Sequence, residues 1–163
     1  ADAFWGDLDF LFLDLPPGTG DLAISLGQMI PNSEIIVVTT PQLAAAEVAE
    51  RAGRIGHAMH QHVLGVIENM SGVICSQCGE VMHLFGDGGG EETARKLSNL
   101  VGSDISVLGK VPFAPELRTG GDGGVPVVLS HPESPAAIAI NEIVEKVAKR
   151  NKSLVGVRLG LAT

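Results

Sequence analysis

The chain of 163 residues has no tyrosine, one tryptophan and five phenylalanines. A core so poor in large rings must be aliphatic and Ala-rich, which suits a parallel α/β architecture. No apolar run reaches the ~20 residues that a membrane-spanning helix needs. Clustered Lys and Arg are missing before the last few residues, and the net charge is −8. Phosphate contacts to nucleic acid require such clusters, so the balance argues against direct nucleic-acid binding. Lys146, Lys149, Arg150 and Lys152 read instead as a helix end that favours cations. Cysteine is confined to Cys75 and Cys78. With no secretory signal, the pair points to metal or redox chemistry rather than a disulfide framework. Also absent is any Gly-x-x-x-x-Gly-Lys-[Ser/Thr] run, the loop that cradles nucleotide phosphates. The start, Ala1-Asp-Ala-Phe-Trp5, reads as protein interior rather than targeting peptide. A cytoplasmic location is expected. Organellar targeting stays open if the native N-terminus lies upstream.

What is present is ordered and punctuated. The hydrophobic share of 45% argues against disorder, and the length suits one domain with a sizeable core. Apolar residues from Leu8 to Leu15 predict a buried strand, and Asp21 to Met29 a short helix stopped before Pro31. The β-branched run Glu34 to Thr40 predicts a second strand. Pro41 then opens an Ala-rich helix to about His60. Val63 to Glu68 reads as a third strand, Glu91 to Leu100 as a helix and Ile105 to Val111 as a fourth strand. The final helix spans Pro135 to Arg150 with Ser134 as N-cap. Residues 72–90 are irregular and 113–134 turn-rich. Strand and helix alternate, so the expected fold is α/β, with a mostly parallel sheet, right-handed crossovers and flanking helices. Ligands of such sheets sit beyond the carboxyl ends of the strands. Asp14, Thr40, Asn69 and Pro112 fall at those ends.

The segment Phe10-Leu-Phe-Leu-Asp14-Leu-Pro-Pro-Gly-Thr-Gly-Asp21 is the most telling. An acid at the end of an apolar strand can orient a Mg²⁺ shell, and Gly18 and Gly20 would let backbone amides approach a terminal phosphate. The bland alternative for Asp14 is an acid capping a turn. Asp21 reads equally as a helix cap. Asn69 can pair with both the N6 donor and N7 acceptor of adenine, or simply form a turn. Pro112 would add an apolar wall to the same pocket. Cys75-x-x-Cys78 offers two thiolates to one soft metal, half of a tetrahedral set, so a second chain would complete it. An iron–sulfur cluster, zinc and a redox pair all remain open for it. His57, His60 and His62 could bind metal as a His-rich tract, or sit at a helix C-terminus where imidazolium is favoured. His83 is a candidate neighbour of the cysteine site. Gly86–Gly90, Gly120–Gly124 and Gly109-Lys110-Val111 lack the Lys-Ser/Thr of a phosphate loop and read as flexible turns, although Gly90-Glu91 could open a helix.

Asp14-Leu-Pro-Pro-Gly-Thr-Gly-Asp21, Val38-Thr-Thr-Pro-Gln42, Glu68-Asn-Met-Ser71, Cys75-x-x-Cys78, Phe85-Gly-x-Gly-Gly-Gly-Glu91, Leu108-Gly-Lys-Val-Pro112 and Gly123-Gly-Val-Pro-Val-Val128 occur in that order. The ordered set resembles the Mrp/ApbC family of iron–sulfur cluster carrier ATPases, relatives of MinD in the deviant-Walker P-loop class. The resemblance covers residues 5 to 150. It implies that residues 1–150 are the C-terminal part of a MinD-like NTPase domain lacking its first strands, with 151–163 as a tail. It implies a [4Fe–4S] cluster bridging two subunits through Cys75 and Cys78, and ATP with Mg²⁺ near Asp14, Gly18, Gly20, Asn69 and Pro112. The implied partners are a second copy of the chain and apo iron–sulfur proteins as cluster acceptors, with neither nucleic acid nor membrane. The family's phosphate loop would precede residue 1, so the isolated chain is expected not to turn ATP over. Two other classes are a metal-holding dimerisation module without ATP chemistry and a MinD/ParA-like positioning ATPase.

Overall fold

A computed structural model describes residues 4–16, 21–75 and 77–150. Its elements are α1 (Asp21–Met29), β1 (Glu34–Thr39), α2 (Leu43–Ala58), β2 (His62–Ile74), β3 (Val81–Met82), α3 (Gly89–Val101), β4 (Val107–Phe113), α4 (Pro115–Gly123), α5 (Val127–Ser130) and α6 (Pro135–Arg150). The four strands form one sheet around β2. β1 and β4 both run parallel to β2, with Glu68 opposite Thr39 on one side and Lys110 on the other. Past Asn69 the register with β4 shifts and resumes with Val73 opposite Phe113, while on its other side β2 pairs antiparallel with β3, Val73 to Met82 and Ile74 to Val81. The mostly parallel α/β fold expected from the sequence is the one observed.

Each face has its own core. Val37, Val63 and Val66 on one face meet Ala49 of α2 and Ala94 and Leu97 of α3. Gly53 of α2 lies where any Cβ would collide with Leu97, so this glycine brings the two helices close. Leu97 is fully buried, which stabilises the fold by roughly 1.5–3 kcal/mol. On the other face Leu64, Leu108 and Val111 meet Ala136, Ile143 and Val147 of α6. Ser134 caps α6 as expected, its Oγ accepting from the Ala137 N–H at 3.2 Å.

Four expectations need correction. Leu8–Leu15 is not a strand: residues 4–16 run outside the sheet, exposed. An apolar run becomes a parallel strand only where a partner edge and cover on both faces exist. Here its rings settle instead over the part of the sheet that α6 leaves open, around Ile36 and Val38. Residues 113–134 are largely helical as α4 and α5. The glycines of 120–124 end α4 rather than forming a free turn, with Gly124 as a left-handed cap at φ 71°. Gly109-Lys110-Val111 lies inside β4, and Gly89 and Gly90 belong to the first turn of α3. Pro41 precedes the N-cap Gln42 of α2 rather than opening its first turn.

Candidate functional site

Three features meet at the carboxyl end of the sheet. The first is a cavity of about 490 Å³ above the open face. Phe10 and Phe12 stand over it, their rings 6.4 Å apart, and Ile36, Val38, Ile67 and Val111 form its floor with residues of α6. Asn69 is the one polar side chain lining it among the described residues. Its Oδ1 accepts the N–H of the next residue, Met70, at 2.9 Å, inside β2. Binding adenine through both amide atoms requires Oδ1 to share or release that bond. Val111, the register partner of Asn69, lines the cavity, while half-buried Pro112 is the next residue of β4 and points off that lining. Asp14 is exposed in the 4–16 segment; Gly18 and Gly20 lie outside the described residues.

The second feature is the β2–β3 hairpin that carries the cysteines. The Cys75 N–H donates to the Glu80 carbonyl and the Gly79 N–H to the Cys75 carbonyl, both at 2.9 Å. Gly79 closes the turn at φ 74°, a conformation that glycine adopts without strain. Both thiols are free. The Cys78 backbone N–H is the main cause holding the Cys75 thiol below the ordinary thiol range. The Gln77 N–H and the Cys78 thiol add to it, and burial opposes. Amides aimed at sulfur favour thiolate, the form that ligates metal. Among the described residues no group of three or more His, Cys, Asp or Glu is arranged to hold a metal ion. Among the described residues one chain therefore offers two thiols and no clustered third donor. His83 follows β3 and packs beside Gly72. His57, His60 and His62 line a separate cavity of about 320 Å³ by the start of β2.

The third feature was not anticipated. Glu68 is fully buried, its Oε2 accepting the Gly90 N–H at 2.7 Å. Its Oε1 faces Lys110 Nζ at 3.5 Å, and that ammonium also reaches Glu91 at 2.8 Å and Asp87 at 3.6 Å. Burial alone would push Lys110 down; the bond to Glu91 and the charges of Glu68, Glu91 and Asp87 outweigh it and hold Lys110 above the usual lysine range. A sequence signal existed. Val63-Leu-Gly-Val-Ile-Glu68 is an apolar strand delivering an acid, the pattern that singled out Asp14.

Comparison with known proteins gives the chain its family and its fold. The ParA family model described as NUBPL iron-transfer P-loop NTPase matches residues 1–148. The iron-sulfur cluster carrier protein of Mycobacterium leprae is 52% identical over 161 residues, covering 99% of this chain and 42% of that protein. The iron-sulfur cluster carrier protein of Pyrococcus furiosus is 41% identical over 156 residues, covering 96% and 50%. The chain thus spans about half the length of these curated relatives. A nucleotide-binding protein of Archaeoglobus fulgidus, solved in complex with ADP, is 35% identical with a TM-score of 0.60, over 74% of this chain and 47% of that one. The septum site-determining protein MinD of Pyrococcus horikoshii, solved with Mg-ADP, superposes at a TM-score of 0.54 and 23% identity, over 82% of this chain and 46% of that one. This second likeness shows the fold.

Proposed function

The chain belongs to the ParA-type family of NUBPL iron-transfer P-loop NTPases, and from that premise we propose that it is the cluster-holding part of an iron–sulfur cluster carrier. The observation that carries the reading is the Cys75/Cys78 turn, with backbone amides directed at the Cys75 sulfur. Two thiolates per chain are half of the four that a [4Fe–4S] cluster takes. Two copies related by a two-fold axis supply the full set, so the cargo bridges a homodimer. Apo iron–sulfur proteins are the acceptors. Net charge −8 disfavours nucleic acid as partner. No helix among the described residues is long and apolar enough to cross a membrane. We place the protein in the cytoplasm.

Nucleotide belongs to the same proposal. Asn69 at the rim of the apolar cavity would contact adenine, with Pro112 on the next residue pair. Asp14 would orient the Mg²⁺ shell, and Gly18 and Gly20 would turn their amides to the terminal phosphate. ATP bound there supplies phosphoryl-transfer free energy. The residues of this chain contribute base recognition, metal orientation and an apolar wall that excludes water. Turnover also needs a lysine-bearing phosphate loop, which these 163 residues do not contain. We therefore assign hydrolysis to a protein of the relatives' length.

Anaerobic reconstitution with iron and sulfide tests the cargo site. The expected product is a brown dimer with about four irons per two chains. Cys75→Ser and Cys78→Ser should each lose both the chromophore and the dimer. A monomer carrying a complete cluster, or a double Cys→Ser variant that keeps stoichiometric iron, would overturn the reading. Zinc bound without chromophore in preference to iron would replace the cluster with a structural metal.

A further inference from the structure

Between Glu68 and Gly90 the chain runs on along β2, turns through the β2–β3 hairpin that carries both cysteines and returns to open α3. The ends of this excursion, 22 positions apart, are joined by the Glu68 carboxylate bonding the Gly90 N–H at 2.7 Å. The outgoing leg bends at Met70, a non-glycine residue at φ 57°, and β2 loses its register with β4 between Asn69 and Val73. The returning leg bends at Gly86 and Gly88, at φ 86° and 82°. Both legs therefore have points at which the chain turns sharply. The outgoing leg is held by Val73 opposite Phe113 and the hairpin by its own β2–β3 pairing; the buried acid ties the returning leg to the base. Lys110, on the neighbouring strand, secures the returning leg on either side of Gly90's turn, through Asp87 at 3.6 Å and Glu91 at 2.8 Å, while facing Glu68 at 3.5 Å. Space is as tight as the charges are close. A Cβ on Gly90 would stand 2.9 Å from the Glu68 Cβ.

We infer that Glu68 and Lys110 form a clasp that closes the cysteine-bearing excursion at its base, making them positioning residues for the Cys75/Cys78 pair although neither touches a thiol. The turn with both thiols is already closed by the Cys75–Glu80 and Gly79–Cys75 bonds; the clasp fixes where that turn stands relative to the sheet, freedom that a site shared by two chains would otherwise have to freeze. A fully buried carboxylate is a costly group to keep unless its partners are fixed, and here each partner lies on the returning leg or on β4. The same acid adjoins Asn69, so the clasp sits where the nucleotide rim and the hairpin share one strand. What the thiols bind rests on the carrier reading above; the clasp itself does not.

The test compares wild type, Lys110→Met and Lys110→Arg as metal-free chains and in titration with Co²⁺ under reducing, anaerobic conditions. Amide exchange is followed by mass spectrometry for 69–90 and, as internal reference, for β1 and α6. In Lys110→Met the excursion should exchange about tenfold faster while β1 and α6 keep their rates, because opening is local. Co²⁺ affinity, read from the thiolate-to-cobalt absorption band, should fall by about tenfold, because a hairpin freer to reorient opposes capture between two chains. Lys110→Arg keeps the charge and should return both readouts toward wild type. Wild-type exchange over 69–90 in Lys110→Met, or acceleration shared equally by β1 and α6, would refute the clasp. If Lys110→Met does not fold, Glu68→Gln is judged by the same criteria, since it keeps an oxygen for the Gly90 N–H and drops the charge. A wild-type chain that takes up no Co²⁺ would sink the carrier reading, yet the exchange comparison would still decide the clasp.

Discussion

Adding one methyl at Gly89 and, separately, at Gly121 should move stability in opposite directions. At Gly89, where α3 begins, a Cβ would stand 2.5 Å from the Pro41 carbonyl oxygen and 2.6 Å from the Thr40 oxygen. Both are backbone atoms just past β1, so neither can swing aside as a side-chain tip would. Relief requires the start of α3 to shift, which draws the Gly90 N–H away from Glu68. Overpacking of this kind costs about 1–3 kcal/mol. Weakening a hydrogen bond to a charged group adds up to about 1.5–3 kcal/mol. The helix preference of Ala over Gly returns at most ~1 kcal/mol. The balance for Gly89→Ala is a loss of about 2–4 kcal/mol. Gly121 lies in α4 with nothing within 4 Å of the same methyl and no positive φ. Gly121→Ala should therefore gain about 0.5–1 kcal/mol. Thermal unfolding followed by circular dichroism reads both. For a domain of this size Gly89→Ala should melt about 5–15 °C lower and Gly121→Ala a degree or more higher. Gly89→Ala melting at or above wild type would show that α3 is not seated on the end of β1.

Two further outcomes follow from the site. In a protein of the relatives' length, Asp14→Asn should lower ATP hydrolysis by at least about tenfold and leave iron loading at Cys75 and Cys78 unchanged; equal turnover would remove Asp14 from the Mg²⁺ shell. In the metal-free chain, iodoacetamide should modify Cys75 faster than Cys78 at neutral pH, because the Cys78 and Gln77 amides favour its thiolate. The sign follows from the lowered value. The thiolate persists as pH falls below about 8.5, the ordinary thiol value, and is lost only on passing through its own lower one. A Cys75 rate profile centred at or above the ordinary value would contradict the amide geometry.

Local chemistry made most of the fold legible. Glu34-Ile-Ile-Val-Val-Thr39 forms the strand that its β-branched run announces, and Ser134 caps the helix it precedes. The failures share one cause, dependence on distant partners. Leu8–Leu15 has a strand's composition, yet composition cannot supply an edge to pair with or a layer to cover it. Val73 and Ile74 prolong β2 because Phe113 on one side and Val81 and Met82 on the other come to lie beside them. Gly120, Gly121 and Gly123 look like a turn but end a helix that Pro115 starts at a position where its missing N–H costs nothing. The site divides the same way. Two cysteines at ligand spacing are visible in any reading of the sequence, and so is an Asn after a strand. Glu68 carries the same strand-then-acid signal as Asp14, but its partners do not: the closure it makes runs to the Gly90 N–H, 22 positions away, and to Lys110 on another strand, beyond any window of neighbours.

That closure also bears on how the two chemistries could be joined. Asn69 and Cys75 are parts of one run of chain, separated by Met70 through Ile74. A regular strand would transmit a displacement at one end rigidly to the other. This one bends at Met70 and breaks its register with β4 before Val73. Movement at the cavity rim would therefore be partly absorbed at the bend; past it the hairpin is fixed by Val73 opposite Phe113 and by the returning leg from Leu84 to Gly90, held by Glu68 and Lys110. Under the proposed function, nucleotide-dependent handling of a cluster would depend on the clasp as well as on the strand. On this reasoning, loosening the clasp should uncouple cluster release from ATP in a protein of the relatives' length before it abolishes either activity alone.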